Sequence, residues 1–356
     1  MRLGSQKKFL AELGSAVRTR TKVVLWGFLL LATVASAVVA IGYFSGGYGR
    51  FFALAGTIGF EQWLVLGLAT VLFYVLDYCR LYTLFALQGI RLRPITGLRL
   101  TCVSYFVSSL TPTAELNIPA LVFMLRGQGV AVSKAVAVFL VKAIYITFWL
   151  CVFGFAGLFL RADVHLPPAI AEHFVALIAP AMLLLAAFFY VVFFPQHVLR
   201  WTAARMGGEL PLTWKDRFIA GLHRSVVAVS ELGQSTDRLH VLSHLSCIAF
   251  LFAYIFIGAY LCRTFGLPMP ADKAIPVFSV SLLVAYISPV PGSIGVSEVL
   301  TNYFINPSMT ESGMVASSLL RFLCSYLLMI PGAIILLDAI RAAGWRQLQQ
   351  KWKETS

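Results

Sequence analysis

Charge is scarce in this sequence. Asp, Glu, Lys and Arg together make up 12% of the 356 residues, hydrophobic residues make up 59%, and the mean hydropathy is +0.84. A soluble globular domain carries about a quarter charged residues, so that class is excluded and a multi-pass α-helical membrane protein remains. Acids are scarcer still: 15 Asp and Glu stand against 28 Lys and Arg, a net charge of +13. The bases sit in loops beside apolar spans rather than on one soluble face. They read as a topology signal and as contacts to anionic lipid, and no nucleic-acid partner is expected.

Catalytic and cofactor chemistry is equally thin. The six cysteines, Cys79, Cys102, Cys151, Cys247, Cys262 and Cys324, show no C-x-x-C spacing and lie in or beside apolar runs, as inert small hydrophobes do. The six histidines are dispersed without metal spacing. No ATP-binding motif is present, Gly292-x-x-Gly295 is not a phosphate loop, and no Ser or Thr has His and an acid at triad-like positions. The sequence thus offers no metal site, no cofactor and no catalytic residues, and a non-enzyme is expected.

What is present centres on residues 282–298. An apolar run of helix-compatible residues meets Pro289, Pro291, Gly292 and Gly295 where a span should be at mid-depth, then resumes toward Glu298. Proline removes backbone donors and glycine releases the helical well, so the segment predicts a broken helix. Such a break is tolerated in hydrocarbon only where protein packs it or it lines a polar cavity, and an ionisable residue beside it points to function.

In chain order, residues 1–22 are a basic cytoplasmic N-terminus and 23–340 form one integral membrane domain. Val23–Phe44 is its first span, read as a signal anchor rather than a cleaved peptide despite Ala35-Ser36-Ala37. A second span, Trp63–Leu87, carries Asp77 and Arg80 at i and i+3, which either pair on one helix face or serve a substrate. Leu100–Met124 is too short to cross twice and is interrupted at Pro112, so it predicts a re-entrant hairpin. Val132–Leu160 crosses outward with Lys142, which either snorkels or faces a cavity, and Phe174–Phe194 returns. A basic amphipathic linker of about 195–238 follows, then span Val241–Cys262, the second broken element Ala274–Phe304, and span Gly313–Leu337 with Arg321. The basic tail 341–356 is cytoplasmic. The expected architecture is all-α and polytopic, in the cell membrane: six transmembrane helices, two re-entrant hairpins and both termini in the cytoplasm.

The unit of span, broken hairpin and span with a buried base occurs twice, at about 62–160 and 239–340. The separations Pro112 to Lys142 and Pro289 to Arg321 differ by only two residues. The topology makes the two units inverted, a transporter pattern. If the hairpins meet, helix ends and the two bases form a site for an anion, most naturally a phosphate. Glu115 and Glu298 then either balance the bases in the empty site or simply pair with them to hold the halves together.

Pro289-Val290-Pro291-Gly292-Ser293-Ile294-Gly295-Val296-Ser297-Glu298 resembles the Pro-x-Pro-Gly-Gly-x-Gly-x-x-Glu signature of the lysylphosphatidylglycerol synthase transmembrane, or flippase-like, family. Thr111-Pro112 followed by Glu115 sits where that family has its first acidic motif. Similar order and spacing run from roughly Phe60 to Ile340. Ser293 replaces a signature glycine, and Ala114 and Pro119 depart from the first motif. The resemblance implies a domain that moves a lipid with a polar head between leaflets. In some members the domain is fused to an aminoacyl-transferring domain or a glycosyltransferase. This length leaves no room for such a fusion, so any lipid-modifying enzyme is expected as a separate partner. The implied substrates are an anionic phospholipid, an aminoacylated phospholipid or a polyprenyl-phosphate lipid. The alternative is a non-transporting subunit that presents a lipid to a synthase or glycosyltransferase.

Overall fold

The computed structural model describes residues 48–111, 117–160, 174–205, 214–234, 237–288, 290–305 and 310–355. The basic N-terminus, the expected span Val23–Phe44, Pro112, Glu115 and Pro289 lie outside these residues. The described residues are helical, without a strand. Four helical segments are long and apolar enough to cross a membrane: Phe60–Leu87, Val132–Ala156, Arg238–Thr264 and Glu311–Ala343. The chain is a multi-pass membrane protein.

The helices run, in order, α1 (Tyr48–Ala55), α2 (Phe60–Leu87), α3 (Pro94–Leu110), α4 (Ile118–Arg126) and α5 (Val132–Leu160). They continue as α6 (Phe174–Phe193), α7 (Pro195–Arg205), α8 (Trp214–Gly233), α9 (Arg238–Thr264) and α10 (Ala271–Ile287), then α11 (Val296–Ile305), α12 (Glu311–Cys324) and α13 (Met329–Thr355). Local chemistry sets the ends. Gln62 Oε1 accepts the Gly59 N–H at 2.9 Å before α2, Asp237 accepts from Leu239 N at 3.2 Å before α9, and Thr310 Oγ1 accepts from Gly313 N at 3.3 Å before α12. Pro94 occupies the first turn of α3, where no intrahelical donor is required.

Three packings build the core. α2 lies along α9, and Phe73 stacks on Phe250 at 4.5 Å across that contact. α3 lies along α13, and α10 lies along α5. Gly332 lets α13 approach α3 closely, since a Cβ there would stand 2.1 Å from the Cys102 carbonyl oxygen. Close approach of small residues is how helices associate where lipid supplies no hydrophobic drive. The amphipathic linker is two helices, α7 and α8, and α8 packs on α5. Gln88 Nε2 donates to Ala228 O at 3.2 Å and so ties α8 to the end of α2.

One expected span is not continuous. The Arg321-bearing element divides into α12 and α13, separated by Ser325 (φ −133°, ψ −54°) and a 3-10 turn at Tyr326–Leu328. Pro331 lies one turn further on and has no N–H for the Leu327 carbonyl, so one hydrogen bond of the α-helical ladder is missing here. Between the expected first and second spans lies the short helix α1, Tyr48–Ala55.

Candidate functional site

The two broken elements meet. α3 ends at Thr111, whose backbone is extended (φ −103°, ψ 149°), and α10 ends at Ile287. The Gly292 N–H donates to the Thr111 carbonyl at 3.2 Å, joining one break to the other. Gly292 has φ +57°, and a Cβ on it would lie 2.9 Å from Ser109 O, so both its conformation and its neighbour exclude a side chain.

Ser293, in the place of a signature glycine, also has a positive φ of +54°. Its hydroxyl donates to the Ala285 carbonyl. That carbonyl would be bonded by the N–H of residue 289 in a continuous helix, and residue 289 is proline. The serine therefore supplies the hydrogen that proline lacks, which offsets the strain of a left-handed non-glycine residue.

Around this junction lies a cavity of about 150 Å³ lined by α2, α3, α5, α9, α10, α11 and α12, with room for on the order of ten waters. Two ion-pair clusters face it. In the first, Asp77 on α2 takes Lys142 Nζ at 2.9 Å and 3.0 Å through its two oxygens and Arg80 Nη1 at 3.0 Å. Arg80 also lies over the Phe250 ring, 4.3 Å from its centroid, and both Asp77 and Arg80 are buried. In the second cluster Arg321 Nε lies 3.2 Å from Glu298 Oε1 and donates to the Tyr326 hydroxyl at 3.0 Å, while its Nη1 donates to Ser297.

Glu298 is a local structural group as well as a counter-ion. Its Oε2 accepts from Gly295 N at 2.9 Å and from the Ser297 hydroxyl at 3.0 Å, capping the first turn of α11 from within. The backbone N–H groups expected to face a ligand at the second break are mostly spent. Val290 N bonds Ser288 Oγ, Gly292 N bonds Thr111 O, Ser293 N bonds Val290 O and Gly295 N bonds Glu298. The cationic character of the cavity therefore comes from side chains, not from a helix end.

The structure brings Lys142, Arg321, Asp77, Arg80 and Gly292 to one cavity, with Glu298 behind Arg321. Pro291 opens the 3-10 turn of the second break, and Gly295 (φ +82°) closes it. Lys142 pairs with Asp77 from the preceding span. Asp77 and Arg80 pair on one helix face, as the first of their two readings has it, and both line the cavity. Sequence reading passed over the hydroxyls. Twelve of the 28 lining residues carry one, more than the four charged residues, so hydroxyls dominate the polar wall. Their spacing was a usable signal: Ser293, Ser297 and Thr301 recur every four residues, as do Ser317, Arg321 and Ser325.

A family model described as the lysylphosphatidylglycerol synthase TM region matches residues 29–332. No curated protein and no solved structure matches the chain.

Proposed function

The chain belongs to the lysylphosphatidylglycerol synthase transmembrane family, and from that premise we propose that it translocates a lipid with a phosphate-bearing head between membrane leaflets. The observation that carries the reading is the cavity at the meeting of two broken helices, faced among the described residues by Arg80, Lys142 and Arg321 and by one acid, Asp77. Including Glu298 behind Arg321, three bases stand with two acids among the described residues. In a low-dielectric interior such a cluster of bases attracts an anion strongly.

Packing supports the two-unit, inverted arrangement behind this proposal. α2 and α9, the first spans of the two units, pack on each other. The first limb of each hairpin packs on the closing span of the other unit, α3 on α13 and α10 on α5. Such exchange of like contacts is what a two-fold relation between units produces. In the proposed cycle the lipid phosphate enters between α3–α4 and α10–α11 and exchanges with the carboxylates for Arg321 and Lys142, while the tails remain in lipid. Only the head crosses, so charge never traverses bare hydrocarbon. Movement follows the lipid gradient or the membrane potential.

The test is leaflet exchange of fluorescent anionic phospholipid in proteoliposomes at matched insertion. Wild type exchanges lipid, whereas Arg321→Ala and Lys142→Met lose most of the rate. If wild type is inert toward every anionic lipid offered, translocation fails and a subunit that presents lipid to a separate enzyme becomes the account.

A further inference from the structure

We infer that Tyr326 is a positioning residue: its hydroxyl holds the Arg321 guanidinium in place while a lipid phosphate takes over from Glu298. The division of the span into α12 and α13 brings it there. The inference rests on the phosphate reading above and adds to it a residue that touches Arg321 rather than the ligand.

In a continuous α-helix residues five apart lie about 140° from each other around the axis, so Tyr326 would face away from Arg321. The break removes that separation. Ser325 leaves the helical path (φ −133°, ψ −54°) and the 3-10 turn Tyr326–Leu328 follows. Arg321 Nε then donates to the Tyr326 hydroxyl at 3.0 Å, with the guanidinium carbon 5.5 Å from the ring centroid. Neighbours hold the turn in this path. Tyr74 Oη on α2 donates at 2.6 Å to the Leu323 carbonyl, which the Leu327 N–H would bond in an unbroken helix. Ile294 of the second break packs on Tyr326 and Met329. Tyr326 is buried and, unlike Arg321 and Ser325, is not one of the residues lining the cavity.

The division of labour on Arg321 follows from its donors. Nε carries one hydrogen, which the phenol accepts, and Glu298 Oε1 stands 3.2 Å from the same nitrogen. The phenol is neutral and offers an incoming anion no charge to displace, so it stays when the carboxylate leaves. Glu298 in turn keeps the bonds that its Oε2 accepts from Gly295 N and the Ser297 hydroxyl. Exchange of carboxylate for phosphate therefore strands neither group, which avoids the cost of an unpaired buried charge. With Nε on Tyr326 and Nη1 on Ser297, two points of a rigid planar group are fixed, and with them the aim of its remaining N–H groups. A fork already aimed binds a phosphate without the ordering cost that a freely turning one pays.

The experiment is a double-mutant cycle on lipid binding. Purified wild type, Tyr326→Phe, Arg321→Lys and the double variant are titrated in detergent with dihexanoyl phosphatidic acid, and unfolding temperatures are measured without lipid. Tyr326→Phe removes one oxygen and keeps the ring on Ile294 and Met329. It is expected to unfold near the wild-type temperature, because Glu298 and Ser297 still hold Arg321 in the empty site. Its affinity for phosphatidic acid is expected to fall about tenfold, the worth of one hydrogen bond to a charged group. Lysine is a point charge with no plane to orient, so in the Arg321→Lys background the same change is expected to alter affinity by less than about twofold. Where Arg321→Lys binds too weakly to titrate, the contrast between lost affinity and kept stability in Tyr326→Phe decides alone. An equal loss in both backgrounds, an unchanged affinity, or a large fall in the unfolding temperature of lipid-free Tyr326→Phe overturns the positioning role and leaves the phosphate site standing. Wild type that binds no phosphatidic acid overturns the phosphate reading, and this inference with it.

Discussion

At the scale of single residues, the site is held by buried ion pairs. Asp77 pairs with two bases in a buried cluster, so Asp77→Asn removes the carboxylate that Arg80 and Lys142 share. Breaking a buried pair in this way costs about 3–5 kcal/mol, and a clear drop in melting temperature in detergent is expected, measured by the unfolding of purified protein. Ser293 separates two local terms. Ser293→Ala keeps the left-handed strain and orphans the Ala285 carbonyl, whereas Ser293→Gly orphans the carbonyl but releases the strain. The alanine variant is therefore expected to be the less stable by about 1 kcal/mol, read from the same unfolding curves. Equal stability of the two would show that the positive φ carries no cost here.

At the scale of elements, much of the helix pattern was legible. Long apolar runs with scarce charge gave α2, α5 and α9 nearly to the residue, because length and hydropathy are direct requirements of the bilayer. The Pro-x-Pro-Gly run gave the second break for an equally direct reason, the missing backbone donors. The division of the Arg321 span into α12 and α13 was not legible, since Pro331 alone is compatible with a kinked but continuous helix. What turns it into a break is the company of Ser325 and the packing of Gly332 on Cys102, which no local sequence reading weighs. Bulk at position 332 should push α13 off α3. Gly332→Val is expected to lower the yield of monodisperse protein in size-exclusion chromatography, while the same change at Gly67, where a Cβ has open space, is expected to leave it unaltered.

At the scale of the whole molecule, the site could be read only in part. Lys142 and Arg321 stood out as bases in apolar helices, but the partner of Lys142 lies on another span, 65 residues away in sequence. Hydroxyls at four-residue spacing carry little weight until several helices bring them to one wall. The proposed inverted arrangement makes a prediction about sides. Gln128, in the turn after α4, and Ala271, at the start of α10, are exposed ends of equivalent hairpins. In intact cells an impermeant maleimide should label Ala271→Cys, and Gln128→Cys should be labelled only after the membrane is opened. The native cysteines give little background, since five are buried and Cys79 is half-buried. Labelling of both from the same side would rule out inversion.

Gly292 in the second break and Thr111 at the end of α3 are joined by a backbone hydrogen bond. A single such bond is worth about 1 kcal/mol net. At that strength the bond itself is open roughly one time in six, refreshed by thermal motion and needing no chemical fuel. Because each hairpin is braced by the other unit's closing span, one tip cannot withdraw without loading the opposite half. The molecule then behaves as a clasp that thermal motion keeps testing, and a bound head group need only decide how long it stays undone.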